Sequence, residues 1–246
     1  MYTKQAQVPV SQLVREREDR AEVLEAYGID YCCGGDVPLA EACAARGISF
    51  EEVRRALEVC DSATNQAART DWAGESMTYL TEHIVAWHHD YLREQLPRLG
   101  ALLDKVVARH ADRHPNLVEL RQLYSNLWTE LLDHMMKEEY GLFPLVRELD
   151  RALQSHQPLP QFHCGSVRNP IHAMEDDHRR VGEALRCMRA LTFDYQAPQD
   201  ACQSYSELMD GLAGLESDLH LHIRKENNML FPRMAQAEAL VMVGGF

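Results

Sequence analysis

No run in this chain is apolar for long enough to cross a bilayer, and Met1 to Glu18 lacks the apolar centre of a secretory signal. These absences predict a soluble, cytoplasmic protein with no membrane partner. A basic stripe is also missing. With 25 Lys and Arg against 38 Asp and Glu, the formal charge is -13 and the pI is near 5.3. Phosphate backbones are bound by clustered Lys and Arg, so nucleic acid is excluded as a partner. The seven cysteines are an odd number without the spacing of a disulfide framework, which fits a reducing compartment. What the chain has in quantity is apolar side chains, 46% of 246 residues, enough for one medium domain and a small one.

One arrangement of residues occurs twice. His134-Met-Met-Lys-Glu138 leads after four residues to Phe143-Pro144, and His222-Ile-Arg-Lys-Glu226 leads after four to Phe231-Pro232. Helical positions four apart share a face, so each copy offers an imidazole and a carboxylate to one point. Upstream, His89 precedes His134 by 45 residues and His178 precedes His222 by 44. The chain thus reads as two copies of one helical hairpin, together holding four imidazoles and two carboxylates.

The apolar pattern places these six residues inward. Val85, Leu92, Leu96, Leu99, Leu103 and Val106 step by threes and fours through a first helix over residues 75 to 109, with His89 in their stripe. After His114-Pro115 a second helix runs Leu117, Leu120, Tyr124, Leu127, Leu131, His134, Glu138. After Asn169-Pro170 a third runs Ile171, Met174, His178, Val181, Leu185, Met188, and a fourth runs Leu208, Leu212, Leu215, Leu219, His222, Glu226, Met229. These are the seams of an antiparallel four-helix bundle. Height agrees, because the midpoints of His89 with His134, His178 with His222 and Glu138 with His178 fall in polar or proline-bearing breaks near residues 112, 200 and 158. All six can therefore occupy one layer.

Burying four imidazoles and two carboxylates without compensation would be strongly destabilising, and metal coordination is the simplest compensation. Nitrogen and oxygen donors without thiolate suit iron, manganese or zinc. Two inward carboxylates can each bridge two ions about 3.5 to 4 Å apart. With a shared oxo or hydroxo group, each ion then has five donors and one open position, where NO, O2 or peroxide can bind. Zinc's preference for four ligands fits less well. Glu130, one turn before His134, and Asp177, next to His178, are candidates to hold a ligand imidazole or line a polar path to the metals. Tyr124 and Met174 read as core. His83, His88, His172 and His220 fall out of phase, and His110, His114, His156 and His163 lie near turns; all eight are expected at the surface or behind the ligands.

Residues 1-62 read as a separate small helical domain, residues 63-74 as a polar linker and residues 75-246 as the bundle. In the small domain a helix is expected from Ser11 to Gly28, a second from Pro38 to Gly47 and a third after the capping box Ser49-Phe-Glu-Glu52. Between the first two lies Tyr31-Cys32-Cys33-Gly34-Gly35-Asp36, a glycine turn carrying two thiols at a helix N-terminus, where Cys32 and Cys33 are candidate redox or metal-passing groups.

The fold class is therefore all-α, an antiparallel four-helix bundle preceded by a small helical N-terminal domain. With Tyr31-Cys-Cys-Gly-Gly35, His89-Asp90, Arg93-Glu-Gln-Leu-Pro97, His134-Met-Met-Lys-Glu138 and His222-x3-Glu226-Asn-Asn-x-Leu-Phe-Pro232, the chain resembles, over nearly its whole length, the repair-of-iron-centres family of YtfE and ScdA type, whose bundle is hemerythrin-like. The resemblance implies a cytoplasmic protein with two Fe ions that acts on iron-sulfur proteins damaged by nitrosative or oxidative stress. It implies iron ligands at His89, His134, Glu138, His178, His222 and Glu226, and the family's cysteine motif at Cys32 and Cys33. Asp177 stands where the resemblance leads one to expect Glu. Iron donation and NO reduction at the iron pair are both open, as is a homodimer. The alternative is a hemerythrin-like O2 or NO binding or sensing protein, which needs no thiols; iron storage is disfavoured, as nothing suggests a cage-forming surface.

Overall fold

The computed structural model describes residues 6-17, 19-31, 35-62, 72, 74-155 and 165-243. It separates into two compact units, Met1–Trp72 and Ala73–Phe246. Both are helical: among the described residues the only β feature is an isolated bridge between Pro9 and Pro38. None of the described helices is long and apolar enough to cross a membrane.

The first unit contains α1 (Val10–Glu16), α2 (Arg20–Ala26), α3 (Leu39–Ala45) and α4 (Phe50–Ser62). The single helix expected from Ser11 to Gly28 is two helices. Arg17 interrupts it with an extended backbone, φ -157 and ψ 112. The break allows Arg17 and Arg20 to reach the same residue of α4: Arg17 Nη1 donates to the Asp61 carbonyl at 2.6 Å, and Arg20 grips the Asp61 carboxylate with two bonds of 2.9 Å. Such bidentate pairing outweighs the continuity of one helix. Gly28 and Gly47, at φ +63 and +67, end α2 and α3 in the left-handed region. Gly35 is fixed by contact, because a Cβ there would collide with the Tyr31 carbonyl and the Ser11 Cβ. Its carbonyl accepts from the Ser11 N–H at 2.9 Å, which ties Gly35 to α1. Cys32 and Cys33 themselves lie outside the described residues.

The second unit is built of four long helical rods. The first is α5 (Met77–His83), a π turn (Ile84–His89) and α6 (Asp90–His110); the second is α7 (Asn116–Lys137), a π turn (Glu138–Leu142) and α8 (Phe143–Ser155). The third is α9 (Arg168–Leu191), and the fourth is α10 (Gln203–Lys225), a π turn (Glu226–Leu230) and α11 (Phe231–Val243). α6 packs on α7 and α10, and α7 packs on α9; above the π turns, α8 packs on α5 and α11. Every position of the expected second and third stripes is buried.

The π turns displace the other two stripes by one residue. In such a turn the N–H bonds to the carbonyl five residues back, so residues five apart share a face. Asp90 N–H reaches Val85, Phe143 N–H reaches Glu138, and Phe231 N–H reaches Glu226. Hence Ile84 is buried where Val85 was expected, Leu230 where Met229 was expected, and His88 is buried beside His89. The wider turn also explains the repeated Phe-Pro. It brings Phe143 and Phe231 onto the faces of Glu138 and Glu226, and it precedes a proline whose ring would crowd an ordinary helical carbonyl four residues back.

Leu212 is fully buried and Leu132 is 43% exposed. Leu212→Ala should cost about 2 to 5 kcal/mol in urea unfolding and Leu132→Ala less than about 0.5 kcal/mol.

Candidate metal centre

The six residues singled out by phase and height meet in one layer, and they divide into two overlapping groups. His89, His222, Glu138 and Glu226 form one; His134, His178, Glu138 and Glu226 form the other. In each group the candidate ligand atoms all lie within 4.8 Å of one another, and every residue is buried. The Nε2 atoms of His89 and His222 are 3.3 Å apart, as are those of His134 and His178. Glu138 Oε2 lies 3.2 Å from His89 Nε2, while its Oε1 lies 3.4 Å from His134 Nε2. Glu226 mirrors this, with Oε1 at 3.0 Å from His222 Nε2 and Oε2 at 3.1 Å from His178 Nε2. Each carboxylate therefore addresses both histidine pairs, one oxygen to each, and each pair takes one histidine from each hairpin.

Around this layer the imidazoles are oriented through their outer nitrogens. His89 Nδ1 is 2.6 Å from Glu139 Oε1, which also accepts from Arg93 Nη2 at 2.6 Å. His178 Nδ1 is 2.8 Å from Asn227 Oδ1. Glu139 and Asn227 each directly follow the layer's carboxylate, so the two copies use the same position to hold the imidazole of their own first helix. The rings of Phe143 and Phe231 stack on His89 and His178 at 5.9 Å. Asp177 Oδ2 stands 3.5 Å from His134 Nδ1 and 3.2 Å from Lys137 Nζ, and Asp177 also pairs with Arg180.

The hemerythrin HHE cation binding domain matches residues 80–234, and a second domain, ScdA_N, described as of unknown function, matches residues 6–61. The chain is 32% identical over 230 residues to the iron-sulfur cluster repair protein YtfE of Escherichia coli O17:K52:H18, covering 94% of this chain and 97% of that relative. It is 31% identical over 229 residues to a Haemophilus influenzae protein described as a probable iron-sulfur cluster repair protein, covering 93% and 97%. The chain belongs to the YtfE-type hemerythrin-like family.

The hemerythrin-like layer fits a metal by its own chemistry. Both oxygens of Glu138 and the Oε2 of Glu226 are buried without a hydrogen-bond partner among the described residues. Carboxylate oxygens left so in a protein interior are a donor set that a bound cation would satisfy. The protonation pattern of the metal-free layer is divided. Burial pushes the His134 imidazole down, but Glu138, Asp177 and Glu226 overcome it and hold the ring up at about 9. His89 is raised in the same way, against burial, by Glu138 and Glu139. His222 is driven well below its ordinary value by burial and then by His89. Glu226 is pulled down despite burial by its bond to His178, and Asp177 by His134 and then Lys137.

Of the two carboxylates considered beside the ligands, Glu130 is exposed and touches no imidazole of the layer, whereas Asp177 is nearly buried and faces His134. Of the eight histidines expected at the surface or behind the ligands, two are buried: His110, with Nε2 3.2 Å from Cys202 Sγ, and His88, which lies behind His222. His88 Nδ1 bonds Asp218 Oδ1 at 2.9 Å, its Nε2 accepts from Lys225 Nζ at 2.6 Å, and its ring stacks on His222 at 5.3 Å. His83, beside His88, is lowered to about 4 by burial and then by Lys225. His172 is exposed. His156 and His163 lie outside the described residues. Glu139, Asn227 and His88 escape a reading based on helical phase, because the π turns bring adjacent residues inward together.

In the metal-free chain His134 binds its proton more tightly folded than unfolded. The resulting stability is complete below pH 6.5 and disappears as pH rises to about 9; His89, also raised, acts in the same direction, and the unfolded-state proton of His222 is lost within the first unit of that rise. Chelator-stripped protein should lose on the order of 3 kcal/mol of unfolding free energy across that window, while metal-loaded protein should not, since coordination needs the neutral ring. A flat profile for the stripped protein would contradict this assignment.

Proposed function

We propose that this chain holds two iron ions and uses them in the repair of iron-sulfur clusters damaged by nitrosative or oxidative stress. The observation that carries the reading is the sharing of both carboxylates by two histidine pairs. His89 and His222 would hold one ion, His134 and His178 the other, and Glu138 and Glu226 would bridge them. When bound, such a pair supplies one-electron chemistry and an exchangeable position for NO, O2 or peroxide. The chain's part is to keep the four rings oriented through Glu139, Asn227, Asp177 and His88, and to shield the layer with Phe143 and Phe231. The names of the relatives support iron-sulfur proteins as targets.

In this reading residues 1-62 are a thiol-bearing domain joined by residues 63-74 to the bundle of residues 75-246, and the protein works in the cytoplasm. Cys32 and Cys33 would exchange metal, NO or disulfide with a target. Repair would proceed by iron donation, by NO removal at the iron pair, or by both. The hemerythrin match also supports a second reading, a binding or sensing protein for O2 or NO, for which the bundle alone suffices.

Iron analysis of anaerobically purified protein should give about two ions per chain. Glu138→Ala or Glu226→Ala should lower that number well below the effect of His172→Ala, because His172 is exposed and remote from the layer. One zinc and no iron would overturn the assignment. Cys32→Ser with Cys33→Ser should retain iron yet slow the reactivation of an NO-damaged iron-sulfur enzyme. Reactivation equal to that by the unaltered, equally loaded protein would mean that the thiols are a structural detail and the bundle works alone, while no reactivation by either protein would favour the binding or sensing reading.

A further inference from the structure

The two halves of the layer are related by the repeat, yet they differ in what stands behind one imidazole. His88 precedes His89 as Asp177 precedes His178, and Lys225 precedes Glu226 as Lys137 precedes Glu138. In one half, Lys137 pairs with Asp177, and the Asp177 carboxylate faces His134 Nδ1 at 3.5 Å. In the other, Lys225 donates to His88, but His88 offers no acceptor to His222. Both its nitrogens are committed, Nδ1 to Asp218 and Nε2 to Lys225, so it presents only a ring face, stacked within 3° of parallel. Neither His134 Nδ1 nor His222 Nδ1 has a hydrogen-bond partner among the described residues, but His134 Nδ1 has the Asp177 carboxylate 3.5 Å away, whereas His222 Nδ1 has only the His88 ring face beside it.

The outer nitrogen of a metal-bound imidazole normally donates to a carboxylate, carbonyl or water. That bond increases the ring's basicity and fixes its direction, and its loss typically weakens metal binding 10- to 100-fold. At the position formed by His134 and His178, Asn227 is hydrogen-bonded to one ring and the Asp177 carboxylate stands 3.5 Å from the other, close enough to accept with a small shift. The position formed by His89 and His222 has a single acceptor, Glu139, whose charge is shared with Arg93.

We propose that the two metal positions are unequal, and that the ion between His89 and His222 is the one the protein gives up. His88 is the positioning residue behind this difference, since it holds the His222 ring in place by stacking without strengthening it as a ligand. The inference rests on the two-iron reading and assigns the donated ion within it. Retention of the His134–His178 ion keeps Glu138 and Glu226 compensated after the first leaves, so the bundle does not have to unfold to release iron.

The test is anaerobic titration of the metal-free chain with Fe(II), and removal of Fe(II) from the loaded chain by a competing chelator. Two binding steps should be resolved, differing in affinity by about 10-fold or more, and one ion per chain should leave first. Asp177→Asn should weaken the tighter step and narrow the gap; Glu139→Gln should weaken the looser step and widen it. His222→Ala should keep one ion at the tighter affinity, while His178→Ala should not, and melting curves of each variant check that it is folded. Two ions bound with one common affinity, or the opposite response to Asp177→Asn and Glu139→Gln, would overturn the inequality while leaving the two-iron reading intact. Saturation at one ion per chain would overturn both.

Discussion

Two carboxylates with no solvent contact, Glu138 and Glu226, set the terms for the rest of the bundle. An ionised carboxylate in a protein interior costs several kcal/mol unless it is matched by positive charge or donors. Here the nearest groups are four imidazoles, which can supply protons when no cation is present and lone pairs when one is. That dual capacity makes the layer tolerable in both states. In the metal-free chain the rings divide the work, with His134 and His89 raised and His222 lowered. Replacing their shared charge by a cation relieves all of them together.

The π turns are the structural means by which the helices deliver these groups. An α-helix presents about one residue in four to a narrow seam, which is enough for a ligand or for the residue that orients it, but not for both in succession. By widening one turn, three of the four rods place neighbours inward together: His88 with His89, Glu138 with the support of Glu139, Glu226 with that of Asn227. The rod without a π turn, α9, also carries such a pair, Asp177 and His178, but its Asp177 stays at the edge of the seam, where Lys137 and Arg180 can reach it. The same widening turns Phe143 and Phe231 onto the rings of His89 and His178.

Much of this was readable from the sequence because the pattern and the chemistry point the same way. Alternating steps of three and four identify the buried faces of α7 and α9 residue by residue, and the two His-x3-Glu repeats fall within the stripes of α7 and α10. Equal distance from the turns brought the six residues to one height without any knowledge of packing. The shortfalls have a common cause. Phase counted at 3.6 residues per turn fails past a π turn, so it points to Val85 and Met229 where Ile84 and Leu230 are buried, and it leaves His88 out of the seam although His88 stands directly behind His222. In the first unit, an unbroken helix was expected through Arg17 because local propensity carries no information about Asp61, 44 residues further on, whose carboxylate and carbonyl draw two arginines toward α4. Cys32 and Cys33 lie between the described residues Tyr31 and Gly35, and only the sequence speaks for their chemistry.

Each histidine pair draws one ring from each hairpin, which has a bearing on how such a site could originate. A single hairpin holds two histidines and a glutamate, but it directs the histidines to different pairs, so alone it is half of two sites and the whole of neither. Two copies of one hairpin associated about a twofold axis would complete both. The present chain retains that plan in its spacing, in its paired Lys-Glu and Phe-Pro steps, and in the matched roles of Glu139 and Asn227. Joined in one polypeptide, the copies are free to diverge: histidine at 88 and aspartate at 177 are residues that a symmetric assembly would have been obliged to make identical.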